Sequence, residues 1–487
     1  MSHGISRIPL AWGGLTAEFE PDTGWLRQVM QGQRLLIRAV YAAVRHEDWS
    51  TPQAEITITS HTQDEKSCEL SWTQHYPHLG YTWKGSFKGC RDGSCMISGE
   101  GLGKRTFLTR RTGLCLLHPS EQRGLTVKVI HPEGEPTEGS MPHLIAPHQP
   151  FFDITGLEVD TIGQFDFEGE IFETEDQRNW SDASFKTYCR PHTWPSPYQL
   201  EAGVTTSQKI TFKPKGHSDP LPLPTVKGVF PKIGVWIRPE AGLLGWKGPL
   251  FADLIQDDWR ESHFSGLDSS QLFVGWRPGK PTPKCAGVLA HPDHEADARK
   301  AFDSTPIYAW HGGNFTELNR AQPLSSTLDG LAFRVCCQVH TEDDASVLEN
   351  TLALSDVVES AERLAKGRPI IVAPLQFGGV RHGADHRKRA TLVGAQWTLL
   401  SLLHLGLFGS PLVFAHDSGE FPWGDMGAMM SLVEMEGREI ELLPGSVPGR
   451  VMGFKADDER ILFNLTPERL EGMGESLTAY EVRRLSS

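Results

Sequence analysis

The 487-residue sequence has no block of lysine or arginine along its length, and its formal charge of -14 comes from 61 acidic against 47 basic residues. A polyanionic partner needs a basic face, so no nucleic acid is expected. No run reaches the roughly 18 apolar residues that cross a bilayer. The first ten residues hold no basic region followed by an apolar stretch. These absences predict a soluble, cytoplasmic protein with no membrane partner. Cysteine is sparse, eight residues at positions 68, 90, 95, 115, 189, 285, 336 and 337, without a Cys-x-x-Cys pair. Scattered thiols suit reduced, mostly buried side chains rather than a disulfide framework, and no metal site is expected. Gly-x-Ser-x-Gly, Gly-x-Gly-x-x-Gly and the P-loop pattern are also missing. The first absence removes a serine-nucleophile elbow and the others a nucleotide, so no cofactor is implied.

Hydrophobic residues at 39% and charged residues at 22% are ordinary globular usage, and the length implies two or three cores. Residues 1–215 carry short β-branched and aromatic runs, such as 54–60, 68–73, 125–130 and 208–212, broken by Gly, Pro and Asp. That rhythm predicts an antiparallel β-sandwich. A proline-rich stretch at 213–224 reads as a stiff linker. Beyond it, apolar runs at 233–238, 264–267, 272–276, 285–290, 307–311, 331–340, 370–375 and 412–416 alternate with helical stretches, clearest at 345–365 and 388–405. Eight such strands predict a (β/α)8 barrel over 226–445. About ten residues separate the second, third and fourth runs, too few for crossover helices, so the barrel is abbreviated. The tail, 446–487, alternates again and predicts a small C-terminal β appendage.

Several stretches carry a resemblance. They are Arg111-Thr-Gly-Leu-Cys-Leu-Leu-His-Pro119, then Phe172-Glu-Thr-Glu-Asp-Gln-Arg-Asn-Trp-Ser-Asp-Ala-Ser-Phe-Lys-Thr-Tyr188, Phe315-Thr-Glu-Leu-Asn-Arg320, and Gln338-Val-His340 leading into Asp343 and Asp344. In these the chain resembles the D-apionate lactonase family over most of its length from about residue 100. The resemblance implies a metal-independent hydrolase, built of an N-terminal β domain, a barrel and a C-terminal β domain, that opens a sugar lactone in the breakdown of the branched sugar apiose.

Opening a lactone needs a base for water, donors for the oxyanion and an acid for the leaving ring oxygen. In a barrel these groups gather at the C-terminal strand ends. Glu317, Asn319 and Arg320 follow a strand ending at His311 across Gly312-Gly313, which makes Glu317 the preferred acid or base. Alternatively Glu317 and Arg320, spaced i and i+3, form a structural pair. His340 closes the sixth run with Gln338 on the same side, ahead of Glu342, Asp343 and Asp344. His340 and Asp343 complete the catalytic set, unless Asp343 or Asp344 serves only as a helix N-cap. Glu175, Asp176, Arg178 and Asn179 offer substrate contacts through the Arg178 fork, or else an interdomain clasp. His416, beside Asp417, stands at the last strand, and Trp397 and Trp423 are sugar platforms or core.

Two other readings compete. Rim carboxylates on a barrel also suit a glycoside hydrolase, for which a carboxyl separation of about 5 to 5.5 Å would mark a retaining enzyme. The shortened barrel and the Ala415-His416-Asp417-Ser418-Gly419 run instead motivate a non-catalytic sugar-acid binding protein.

Overall fold

A computed structural model describes residues 7–216, 219, 221, 223, 226–239, 246–322, 324–336, 338–341, 343–377, 391–417, 432–447 and 450–486, without the side chains of residues 416 and 417. Two compact units divide the chain: Met1–Asp176 with Ser184–Pro222, and Gln177–Ala183 with Leu223–Ser487. Among the described residues, no helix is long and apolar enough to cross a membrane.

The first unit is a sandwich of two antiparallel sheets. One runs from Ile8–Trp12 to Phe151–Ile154 with the 13-residue strands Arg34–His46 and Phe107–Pro119 paired near its middle, and the other runs from Thr137–Ser140 to Glu55–Gln63. Alternation builds it. Strands Cys68–Tyr76 and Tyr81–Gly89 bury every second residue, so each sheet contributes one apolar face to a shared core. Trp12 meets Phe87 edge-on at 4.9 Å within that core, and Phe165 stacks on Phe212 at 4.6 Å.

The second unit holds a closed barrel of eight parallel strands, β1 (Lys232–Ile237), β2 (Leu250–Asp253), β3 (Leu272–Trp276), β4 (Gly287–Ala290), β5 (Ile307–Asn314), β6 (Gly330–Cys336), β7 (Ile370–Gln376) and β8 (Leu412–Asp417). One expected strand is displaced. The second strand is Leu250–Asp253, whereas the 264–267 run begins at the end of a 3-10 turn, Glu261–Phe264, and contains Gly266 at φ +87°, outside extended backbone. Strand β6 stops at Cys336, so Gln338 and His340 lie in the segment beyond it.

Among the described residues no α-helix stands between β1 and β4. Helices then appear as α1 (Glu295–Phe302), α2 (Phe315–Arg320), α3 (Asp344–Glu349), α4 (Ala353–Ala365) and α5 (Leu392–Gly406). The barrel is therefore abbreviated in its first half. Strands Lys227–Val229, Glu439–Leu442, Val451–Ala456, Glu459–Asn464 and Val482–Ser486 form a separate antiparallel sheet of this unit.

Inside the barrel, inward residues form an aromatic layer in which Phe251 lies 5.7 Å from Trp310 and 5.4 Å from Phe414. Missing side chains make room for it: a Cβ at Gly275 would stand 2.5 Å from the Trp310 ring. Period two carries the same inward face one step further, from Phe251 to Asp253 and from Ala332 to Arg334.

The segment Gln177–Ala183 opens with the 3-10 turn Gln177–Trp180. Arg178 is fully buried and donates to Asp356 of α4 at 2.8 Å. Asn350, between α3 and α4, donates to Asp182 at 2.8 Å and accepts from the Ala183 amide at 3.3 Å.

Two stability outcomes follow. Gly275→Val should force the Trp310 ring from its place and cost about 1–3 kcal/mol. Asp356→Ala should cost about 3–5 kcal/mol by removing an ionic partner of buried Arg178, and Asp356→Leu combined with Arg178→Met should recover most of the loss. Denaturant midpoints read both, and an Asp356→Ala chain as stable as its parent would show that the pair contributes nothing.

Candidate active site

Polar groups accumulate where the inward face leaves the aromatic layer. Asp253 ends β2, and its Oδ1 accepts from the amides of Ile255 at 3.0 Å and Gln256 at 3.2 Å. Burial pushes its pKa up to about 6 against those bonds and the charge of Arg334. Arg334, on β6, stands opposite Asn314 of β5 in the strand register. Burial lowers its pKa, while Asp253 and Glu317 act on it as opposing charges. One guanidinium thus feels two carboxylates, one from the end of β2 and one from α2. Nearby, Arg238 donates to Asp257 at 2.6 Å and covers the Trp236 ring at 4.0 Å.

Glu317 lies half-buried on α2, and its carboxyl packs against Gly313, where a Cβ would stand only 2.7 Å from its Cδ. The glycine therefore clears the space that the carboxyl occupies. Several buried atoms along this rim have no hydrogen-bond partner among the described residues: Asp253 Oδ2, Arg334 Nε and Nη2, Asn314 Oδ1, the Gln338 amide and Gln376 Oε1.

A second group surrounds His340. Its Nδ1 is hydrogen-bonded to Asp182, whose other oxygen holds Asn350. Trp180 stands edge-on to the His340 ring at 6.0 Å, and Arg320 lies 5.7 Å over the other side chain of that contact, the Trp180 indole. Asn319 is buried and donates to Asn179 at 3.0 Å. Asp343 caps α3, accepting from the Ser346 amide at 2.9 Å.

Of the residues singled out in the sequence, Glu317 joins the Asp253 and Arg334 rim, and Asn179, Asn319, Arg320 and His340 meet around Trp180. Gln338 is buried beyond β6. Arg178 is engaged by Asp356, and Glu175 and Asp176 belong to the first unit, where Asp176 accepts from the Ala146 amide at 3.0 Å. His416 is on β8 with its side chain outside the described residues, as Glu342 and Trp423 are entirely. Trp397 is fully buried against Phe377, which makes it core. Asp253, Arg334 and Asp182 escaped the sequence reading. Arg334 had left a signal, a lone cation inside the apolar run Leu331-Ala-Phe-Arg-Val-Cys336. Among the described residues, no group of three or more His, Cys, Asp or Glu could hold a metal ion.

Comparison with known proteins bears on most of the chain. The family model for the D-apionate lactonase N-terminal domain matches residues 5–217, and that for the D-apionate lactonase TIM barrel domain matches residues 275–410. A D-apionate lactonase from Brucella anthropi is 26% identical over 431 residues, covering 72% of this chain and 70% of its own. Among solved structures, a GH36 α-galactosidase from Geobacillus stearothermophilus covers 94% of this chain and 91% of its own at 9% identity and a TM-score of 0.31. A 4-O-α-L-rhamnosyl-β-D-glucuronidase from Fusarium oxysporum covers 52% and 80% at 11% identity and a TM-score of 0.36. Likeness at those scores carries no argument about chemistry. The two domain models agree with each other and with the curated relative, and by them the chain belongs to the D-apionate lactonase family.

Proposed function

We propose that this protein is a lactonase that hydrolyses a sugar-acid lactone, D-apionolactone or a close relative, at the C-terminal mouth of its barrel. The observation that carries the reading is Arg334, buried on β6 under the charges of Asp253 and Glu317, with two nitrogens that have no partner among the described residues. Attack of water on a lactone places negative charge on the carbonyl oxygen, which a guanidinium fork in a dry site stabilises. Glycosidic cleavage develops positive charge on the sugar ring instead, and the same guanidinium would oppose it. The arginine therefore favours the lactone over the glycoside.

In the proposed reaction Asp253, ionised above about pH 6, takes a proton from water as the oxygen adds to the carbonyl carbon. Arg334 holds the resulting oxyanion. Collapse breaks the ring C–O bond, and the proton that Asp253 took from water passes through the Glu317 carboxyl to the departing ring oxygen, which leaves an open hydroxy acid and both carboxylates ionised again. His340, fixed through Nδ1 by Asp182, has Nε2 left to meet a sugar hydroxyl together with Gln338, Asn319 and Arg320. Asp343 supports the site through its cap on α3.

A pH-stat assay over D-apionolactone, other aldonolactones and aryl glycosides tests the reading. Acid should be released from lactones only, and activity should survive EDTA because Arg334 supplies the positive charge. Release of sugar from a glycoside would favour the glycosidase, and no turnover of any lactone would favour a binding protein.

Rates provide a second check. Because the base must be ionised, kcat/KM should rise with pH through about 6 and fall tenfold per unit below it. Asp253→Asn should abolish that rise, and Glu317→Gln should lower kcat by roughly 10² to 10⁴ without unfolding the chain. A folded Glu317→Gln protein with parental turnover on its lactone would remove Glu317 from the mechanism.

A further inference from the structure

We propose a second site, in the N-terminal unit, where Arg45, Arg111 and Lys186 bind the carboxylate of a polyhydroxy acid. Three adjacent strands supply the cations: Arg45 from Arg34–His46, Arg111 from Phe107–Pro119 and Lys186 from Ser184–Cys189. Arg45 and Arg111 are direct cross-strand partners, and Tyr188 pairs with Cys115 on the same face as Arg111. This is the face of the sheet turned away from the sandwich core, carrying Tyr41, Cys115 and Tyr188, while Val40, Leu114 and Leu116 fill the core on the other side.

Arg111 and Lys186 are only 5% and 7% exposed, yet among the described residues neither they nor Arg45 make an ion pair or a side-chain hydrogen bond. The same sheet shows what a self-sufficient buried charge looks like, since Arg27 is paired with buried Glu20 at 2.7 Å. Like charges directly opposite each other across a strand pair destabilise a sheet, and buried charges need partners. Burial, then the charges of Arg111 and Arg45, hold Lys186 down at about 8, so it still carries its proton at neutral pH.

The surroundings define the ligand. Arg111 stacks 3.5 Å over the Tyr188 ring, and the Tyr188 hydroxyl donates to Glu173 at 2.6 Å. Glu173 accepts the His192 amide on the same oxygen, and its Oε2 has no partner among the described residues. Glu175 stands opposite Lys186 in register, and its charge acts on both Lys186 and Arg111. Three cations beside Glu173 and Glu175 leave an excess of positive charge, which suits an anion such as a carboxylate. The open oxygen of Glu173 accepts from a hydroxyl. Trp49, exposed and with Arg110 and Arg111 over its ring at 5.4 and 6.0 Å, offers a face for the carbon skeleton. A carboxylate, a hydroxyl and an apolar face together describe an aldonic acid.

The test uses the full chain and does not depend on turnover in the barrel. Acetylation of Lys186 by acetic anhydride is followed by peptide mass mapping with potassium gluconate, glucose or inorganic phosphate present. Gluconate should slow labelling of Lys186 about tenfold at saturating concentration, equally in the Glu317→Gln chain, and glucose should not. A gluconate-induced rise in Tm should vanish in Lys186→Met, whose unligated Tm should be no lower than the parent's because an unneutralised charge has been removed. The proposal fails if gluconate gives no protection, if glucose protects equally, or if phosphate protects at lower concentration. Unfolding of Lys186→Met without ligand would also overturn it, by showing that the protein itself neutralises the ammonium.

Discussion

A charge buried in protein is costly unless something nearby compensates it, and this constraint sorts the molecule into scaffold and site. Where the fold supplies the partner, the charge fixes structure. Arg178 meets Asp356, and the turn around it sets Asn179 against Asn319 and Asp182 against His340. Where the fold withholds part of the bonding, a place for chemistry remains. Arg334 and Asp253 feel each other's charge, yet each retains buried atoms with no bond among the described residues. The same unit thus treats two buried guanidinium groups in opposite ways, and the second continues the inward face of the barrel at the C-terminal end of β6.

Barrel packing makes that difference chemically useful. The aromatic layer of Phe251, Trp310 and Phe414 closes the interior below Asp253 and excludes water from one side of it. Desolvation is then the largest influence on the Asp253 carboxyl, larger than the backbone bonds and the arginine that oppose it. Packing the barrel with rings rather than aliphatic chains required glycines on neighbouring strands, such as Gly275 beside Trp310. The residues that give Asp253 its character therefore stand on its own strand and on β5 and β8, and they act by burial rather than by charge.

Legibility in the sequence followed the range of the interactions. Strands held by strict alternation, Cys68–Tyr76 and Tyr81–Gly89, announce themselves through neighbours two residues apart. Eight buried runs were also enough to reveal the barrel. Leu250–Asp253 is a four-residue strand with no alternation to display, so its place was given to a run containing Gly266, and Asp253 disappeared with it. Glu317 was visible because a double glycine precedes it after a strand. The pairing of Asp182 with His340 joins residues 158 positions apart, and no local pattern encodes it.

The longest family run, residues 172–188, shows why a contiguous motif need not be one site. Its ends are strands Phe172–Asp176 and Ser184–Cys189, paired with each other in the sandwich, while Gln177–Ala183 between them belongs to the barrel unit. Within the strands, period two divides the run again. Phe172 and Phe185 enter the sandwich core, and Glu173, Lys186 and Tyr188 take the opposite face beside Arg111. The first family run, from Arg111 to Pro119, pairs with Ser184–Cys189 and shares both faces with it. One stretch of chain therefore answers to three environments at once: an apolar core, a charged sheet face and the surroundings of His340. A substitution in it acts on one of these according to its position and the parity of its strand, which is why proximity in sequence is a poor guide to shared function here.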